Sequence, residues 1–224
     1  MRPLEELVET QDPAWPLVQS WIETASNAVN VLPVDRDKAD AALVQLQVTT
    51  RSPMGAIVHH TGGLLIDHGW LRVLGSGSQR LPRSLPDWNA QIVRSPAGAP
   101  PPFLLIADDI LGGFFAIDGG GLTGAPGKVH YFAPDSLDWQ NLGSSYSDFI
   151  RFLLSGDLER FYQGTRWPAW PDELADLPGD RGLSVYPFLW AKGPAIAERS
   201  RRAVPLAELW NLQQDIRRQM RGAG

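Results

Sequence analysis

The sequence predicts an α+β fold, a mostly antiparallel central sheet with helices packed against it. Three observations point there. The stretch from Phe103 to Gly156 holds apolar strand-like runs joined by glycine-containing turns, which favours antiparallel neighbours. Apolar residues at helical spacing occur near the start of the chain, after the central strands and at the end. With 224 residues, 43% of them hydrophobic and nine of them Trp, the chain is long and apolar enough to bury a sizeable core.

Taken in order, Asp12-Pro13 suits a helix start, and Trp15, Val18, Trp21, Ile22 and Ala25 supply the apolar face of a first helix. A second helix is predicted from Asp37 to Gln45. Ser52-Pro53 favours a turn, and Ala56-Ile57-Val58-His59-His60 reads as a strand. Thr61-Gly62-Gly63 then reverses the chain into Leu64-Leu65-Ile66, so that residues 57–66 form a hairpin. Trp70 to Leu74 is a third strand, and Leu81 to Asn89 a short helical or irregular segment. The proline-rich stretch at 96–102 is expected to be a surface loop within one domain spanning 1–224.

Phe103 to Ala107 is an apolar run typical of a strand covered on both faces. Gly112-Gly113 turns the chain into Phe114 to Ile117, and a Gly- and Pro-containing connection leads to Lys128 to Phe132. Ser144, Ser145 and Asp148 suit a helix start, with Tyr146, Phe149, Ile150 and Leu153 at helical spacing and a continuation through Leu158 and Phe161. A C-terminal extension, 163–224, begins with Trp167-Pro168-Ala169-Trp170-Pro171, which can be neither a regular helix nor a central strand. Leu183 to Tyr186 reads as one more strand. Pro205 to Met220 reads as a last helix, with Arg217, Arg218 and Arg221 at its negative end.

The central unit resembles the C-terminal half of the SUKH superfamily at Ile106, Gly113, Phe115, Ile117, Gly127, Val129, Tyr131, Trp139, Tyr146, Phe149 and Leu153. Leu81-Pro82 and Leu85-Pro86-Asp87-Trp88-Asn89 are similar to that superfamily's Leu-Pro segment. The chain as a whole resembles a bacterial family known only as a domain of unknown function (number 2625). That likeness is carried by Asp12-Pro13-Ala14-Trp15, Gln47 to Gly55 and Asp67-His68-Gly69-Trp70-Leu71-Arg72. The second resemblance implies no activity. The first implies a non-enzymatic protein-binding module of the immunity type, which neutralises a toxin partner without catalysis.

Composition narrows the functional classes. The absence of cysteine removes disulfides, thiolate metal sites and a cysteine nucleophile. A net charge of −5 argues against a nucleic-acid binder and suits a basic protein partner. No run is long and apolar enough to cross a bilayer, and Met1 to Gln11 is charged and polar, so a cytoplasmic location is expected, with no membrane partner.

Four side chains, His59, His60, Asp67 and His68, lie where a metal could be held across the expected hairpin. Zinc needs three or four converging ligands, and adjacent strand residues point to opposite faces, so no metal and no cofactor is expected. A hydrolase or metal-dependent enzyme would draw on His59, His60, His68 or Asp67 with an aspartate of the second half, where the central hairpin is flanked by Asp108, Asp109 and Asp118. Those last three aspartates read more simply as hairpin-turn residues. A small-molecule sensor would line its pocket with Trp70, Trp88 and Trp139. No nucleophile elbow, phosphate loop or dinucleotide fingerprint is present. Arg199, Arg201 and Arg202 read as solvated surface. The favoured site is a partner-binding surface: Tyr162, Trp167 and Trp170 on a proline-restricted segment, with Asp172, Glu173 and Asp176 beside them.

Overall fold

A computed structural model describes residues 1–95 and 99–222. The expected proline-rich loop at 96–102 therefore lies partly outside the described residues. Among the described residues seven strands form one antiparallel sheet in simple sequential order: β1 (Val29–Val31), β2 (Gly63–Ile66), β3 (Leu71–Leu74), β4 (Phe103–Asp109), β5 (Phe114–Asp118), β6 (Val129–Ala133) and β7 (Asp138–Asn141). A two-stranded arm pairs β8 (Arg181–Tyr186) with β9 (Ser200–Pro205). The fold is α+β, as the sequence predicts.

Helices cover both faces of the sheet. Val73, Ala107, Phe115 and Tyr131 share one face by register. There Phe115 meets Phe149 of α6 (Tyr146–Ser155) at a ring separation of 4.9 Å. Arg72, Asp108, Phe114 and Phe132 line the other face, where Trp210 of α9 (Leu206–Gly222) stands edge-on to Phe114 at 4.8 Å. Strands buried on both faces explain why the runs at 103–107 and 114–117 are continuously apolar rather than alternating.

The structure corrects the sequence reading at 56–60. Those residues belong to a helix, α4 (Pro53–His60), packed with α2 (Trp15–Glu23) and α3 (Arg36–Leu46). Its start is defined by Ser52, whose hydroxyl accepts the Gly55 N–H at 3.1 Å, and by Pro53 in the first turn. Gly55 to Val58 are all buried, so this short helix is apolar all round and shows no 3.6-residue period. Consequently the hairpin expected over 57–66 does not form. Strand β2 instead turns through Asp67-His68-Gly69-Trp70 into β3.

Other departures are smaller. The central helix stops at Gly156, and Asp157 caps a separate turn, α7 (Leu158–Phe161). Strands β7 and β9, the short helices α1 (Leu4–Leu7), α5 (Leu85–Ile92) and α8 (Trp170–Leu174) and a 3-10 turn at Ile196–Glu198 are further elements among the described residues. The Trp-Pro segment supplies the start of α8, with Pro171 in its first turn, where a missing N–H is harmless.

Candidate functional site

The favoured aromatic residues converge around Trp70, which is fully buried at the end of the β2–β3 turn. Tyr162, Trp167 and Trp170 surround it at ring separations of 5.3, 5.8 and 5.0 Å. Arg166 completes the cluster. Its guanidinium lies 5.0 Å from the Trp70 ring, 5.4 Å from Tyr162 and 4.7 Å from Trp170. The same group pairs with Asp67 and, at 2.9 Å, with Glu159. Arg201 stacks over Trp167 at 4.3 Å and pairs with Glu173 at 3.2 Å. Flat, weakly hydrated guanidinium groups suit such aromatic faces.

Burial divides these residues into two layers. Tyr162 and Trp167 are only 3% and 4% exposed, Trp170 is half-buried, and Asp172, Glu173 and Asp176 are exposed. The aromatic layer fixes the 162–170 segment to the sheet, and the acidic layer faces solvent above it. Asp172 and Asp176 have no ion-pair or hydrogen-bond partner for their carboxylates among the described residues. A groove of about 470 Å³ runs between α8 and the β1–β2 side of the sheet, lined by Asn30, Leu65, His68, Arg80, Asp172 and Ala175 among others.

Beneath the cluster lies a buried polar network. The Asp109 carboxylate accepts the N–H groups of Leu111 and Gly113 at 2.9 and 2.8 Å and the hydroxyls of Tyr131 and Tyr162 at 2.8 and 3.2 Å. Burial pushes the Asp109 carboxyl up, opposed by the donors of Gly113, Tyr131 and Leu111. Burial, reinforced by Asp109, also drives both phenols well above their usual range. Asp108 pairs with Arg72 at 2.7 Å and with Arg83 at 2.8 Å. Burial draws the Arg72 guanidinium down, and Asp108 opposes that. Arg83 donates to the Gly179 carbonyl at 2.7 Å and Arg72 to that of Arg181, which fastens the arm to the sheet.

In the sequence, Asp108, Asp109 and Asp118 all read as turn residues. Asp118 fits, accepting the Gly120 and Leu122 N–H groups at 2.7 and 3.0 Å. Asp109 fits in part. Asp108 does not, because it is the hub of two arginine pairs. The missed signal was an arginine inside the apolar run Trp70 to Leu74, which can be buried there only with a carboxylate partner.

The histidines stand apart. His59 meets Asp40 at 3.0 Å, His60 stacks on Trp15 at 4.7 Å and His68 stands edge-on to Trp170 at 5.9 Å. Desolvation, then the neighbouring His59 and Arg36, push His60 down to about 4. Among the described residues, no group of three or more His, Cys, Asp or Glu side chains converges as metal ligands would. Trp88 packs under Arg83 at 4.5 Å, and Trp139 against Phe103 and Phe132 at 5.2 and 5.3 Å. Trp70, Trp88 and Trp139 share one core, but no ring contact joins the three among the described residues.

Fold and site define an α+β protein with an aromatic bed, an acidic rim and a core of internally paired charges. The chain belongs to the family described as Protein of unknown function DUF2625, whose model matches residues 4–209. It is 45% identical to the uncharacterised Escherichia coli protein YbfG, over 97% of this chain and 98% of that one. An uncharacterised Haemophilus influenzae protein is 42% identical over 91% of this chain and 90% of its own length. No solved structure matches the chain. No helix among the described residues is long and apolar enough to cross a membrane.

Proposed function

We propose that the protein is a non-enzymatic protein-binding module whose partner docks on the acidic rim over α8. One contrast supports the reading. The buried charges Arg72, Arg83 and Asp108 are tied to one another, whereas Asp172 and Asp176, four residues apart in sequence, are exposed and without internal partners among the described residues. The buried charges are spent on holding the arm to the sheet and, at 0–7% exposure, offer no surface to a partner. Unpaired exposed carboxylates attract and orient a basic partner. In this reading Tyr162 and Trp167 hold the surface rigid, and Trp170, Asp172, Glu173 and Asp176 meet the partner. The likeness of Phe103–Gly156 to SUKH immunity domains suggests a partner class: a toxin neutralised by occupation of its surface. No comparable observation favours a hydrolase or metal-dependent enzyme, or a sensor pocket.

A photo-crosslinking amino acid in place of Asp176, introduced in cells of the native host, tests the reading. The expected result is one dominant adduct with a basic protein, missing when the same group replaces Gln140 on β7. No adduct, or the same adducts from both positions, would overturn it.

A further inference from the structure

The strand β1 lies at one edge of the seven-stranded sheet. The Asp67 N–H reaches the Ala28 carbonyl at 2.7 Å, and the Leu32 N–H reaches that of Gly63 at 3.0 Å. With Asn30 opposite Leu65, this alternation turns the main chain of Asn30 toward β2. The N–H and C=O groups of Val29 and Val31 then point away from the sheet, and neither residue has another main-chain partner among the described residues. Val31 is 39% exposed and Asn30 is exposed.

Exposed edges are usually blunted by charge, proline or a covering element. The opposite edge, β7, carries Asp138, held by Arg217 at 3.0 Å and Arg221 at 2.8 Å from α9. The Val-Asn-Val edge of β1 carries no charge. Beside it opens the groove under α8, with Val29, Leu65 and Ala175 as apolar walls and Asp172 on the far side.

We propose that an extended segment of a basic partner adds as a further strand beside β1, with one lysine or arginine side chain crossing the groove to Asp172. This deepens the binding reading above and rests on it. The outward N–H and C=O groups of Val29 and Val31 supply the ladder bonds. Arg80 and Asn30, which also line the groove, supply donors for carbonyls of the added segment. Charge chooses between occupants. A second copy would bring another chain of net charge −5 and another acidic rim to the same place, whereas a basic segment is attracted there.

Panning a phage-displayed random peptide library on the full-length chain tests this, with selected peptides titrated by fluorescence anisotropy. The peptides are expected to share β-branched residues around a lysine or arginine and to slow amide exchange at Val29 and Val31. Val31→Pro removes an outward N–H without touching the β1–β2 ladder, and Val31→Lys adds a repelling charge. Each should weaken binding at least about tenfold with the melting temperature unchanged, and Asp172→Asn should erase the preference for a basic residue. If Val31→Pro fails to fold, Val31→Lys carries the test. Acidic peptides, no enriched peptides, or undiminished binding by both folded Val31 variants would overturn the proposal. So would a dimer in sedimentation that Val31→Lys converts to monomer, since a second copy would then occupy the edge. An Asp176 adduct that survives Val31→Lys defeats strand addition alone. Loss of the adduct from wild type defeats the α8 reading as well.

Discussion

Gly113 shows how one position can be decided by space alone. A β-carbon there would collide with the Asp109 carboxylate and lie 2.5 Å from the Tyr131 hydroxyl. Gly127, by contrast, is needed for its φ of +84°. Both glycines were legible as turn residues, but nothing local in the sequence announces the carboxylate behind Gly113. Gly113→Val should cost about 1–3 kcal/mol by urea unfolding, and an unchanged midpoint would contradict the packing described. His60 gives a pH signature. Its imidazole is pushed down to about 4 in the fold, against 6.5 unperturbed. Between those values the unfolded chain binds the extra proton, so this contribution to stability is present above about pH 6.5 and lost as pH falls toward 4. Unfolding midpoints from pH 4 to 7 should rise less steeply for His60→Gln than for wild type. Parallel profiles would remove the assignment.

Among elements, the strands buried on both faces were the most legible, because continuous apolar runs bounded by glycine leave few alternatives. Helix α4 reads as a strand for a related reason: a helix buried on most sides is as continuously apolar as a buried strand. Its capping serine was the available clue. Ser52→Ala should destabilise the protein by about 1 kcal/mol, whereas a strand in that place would be nearly indifferent to the change. Melting temperatures of the two proteins decide this. Strands β7 and β9 escaped notice because Asp138–Asn141 and Ser200–Pro205 are largely exposed, and pairing rather than hydrophobic pattern makes them strands.

For the whole molecule, the aromatic and acidic residues singled out from sequence do lie together, but composition could not separate the layer that holds from the layer that faces outward. Only burial does that. Trp170 belongs partly to both layers, since it touches Trp70 and Arg166, so Trp170→Ala disturbs folding and docking at once. The exposed carboxylates separate the two effects. The most direct measurement is the affinity of the cross-linked partner for Asp172→Asn/Asp176→Asn, taken together with that variant's melting temperature. The account predicts binding weaker by about tenfold or more, a difference that shrinks in high salt, with an unchanged melting temperature. Undiminished affinity in the folded double variant would contradict it.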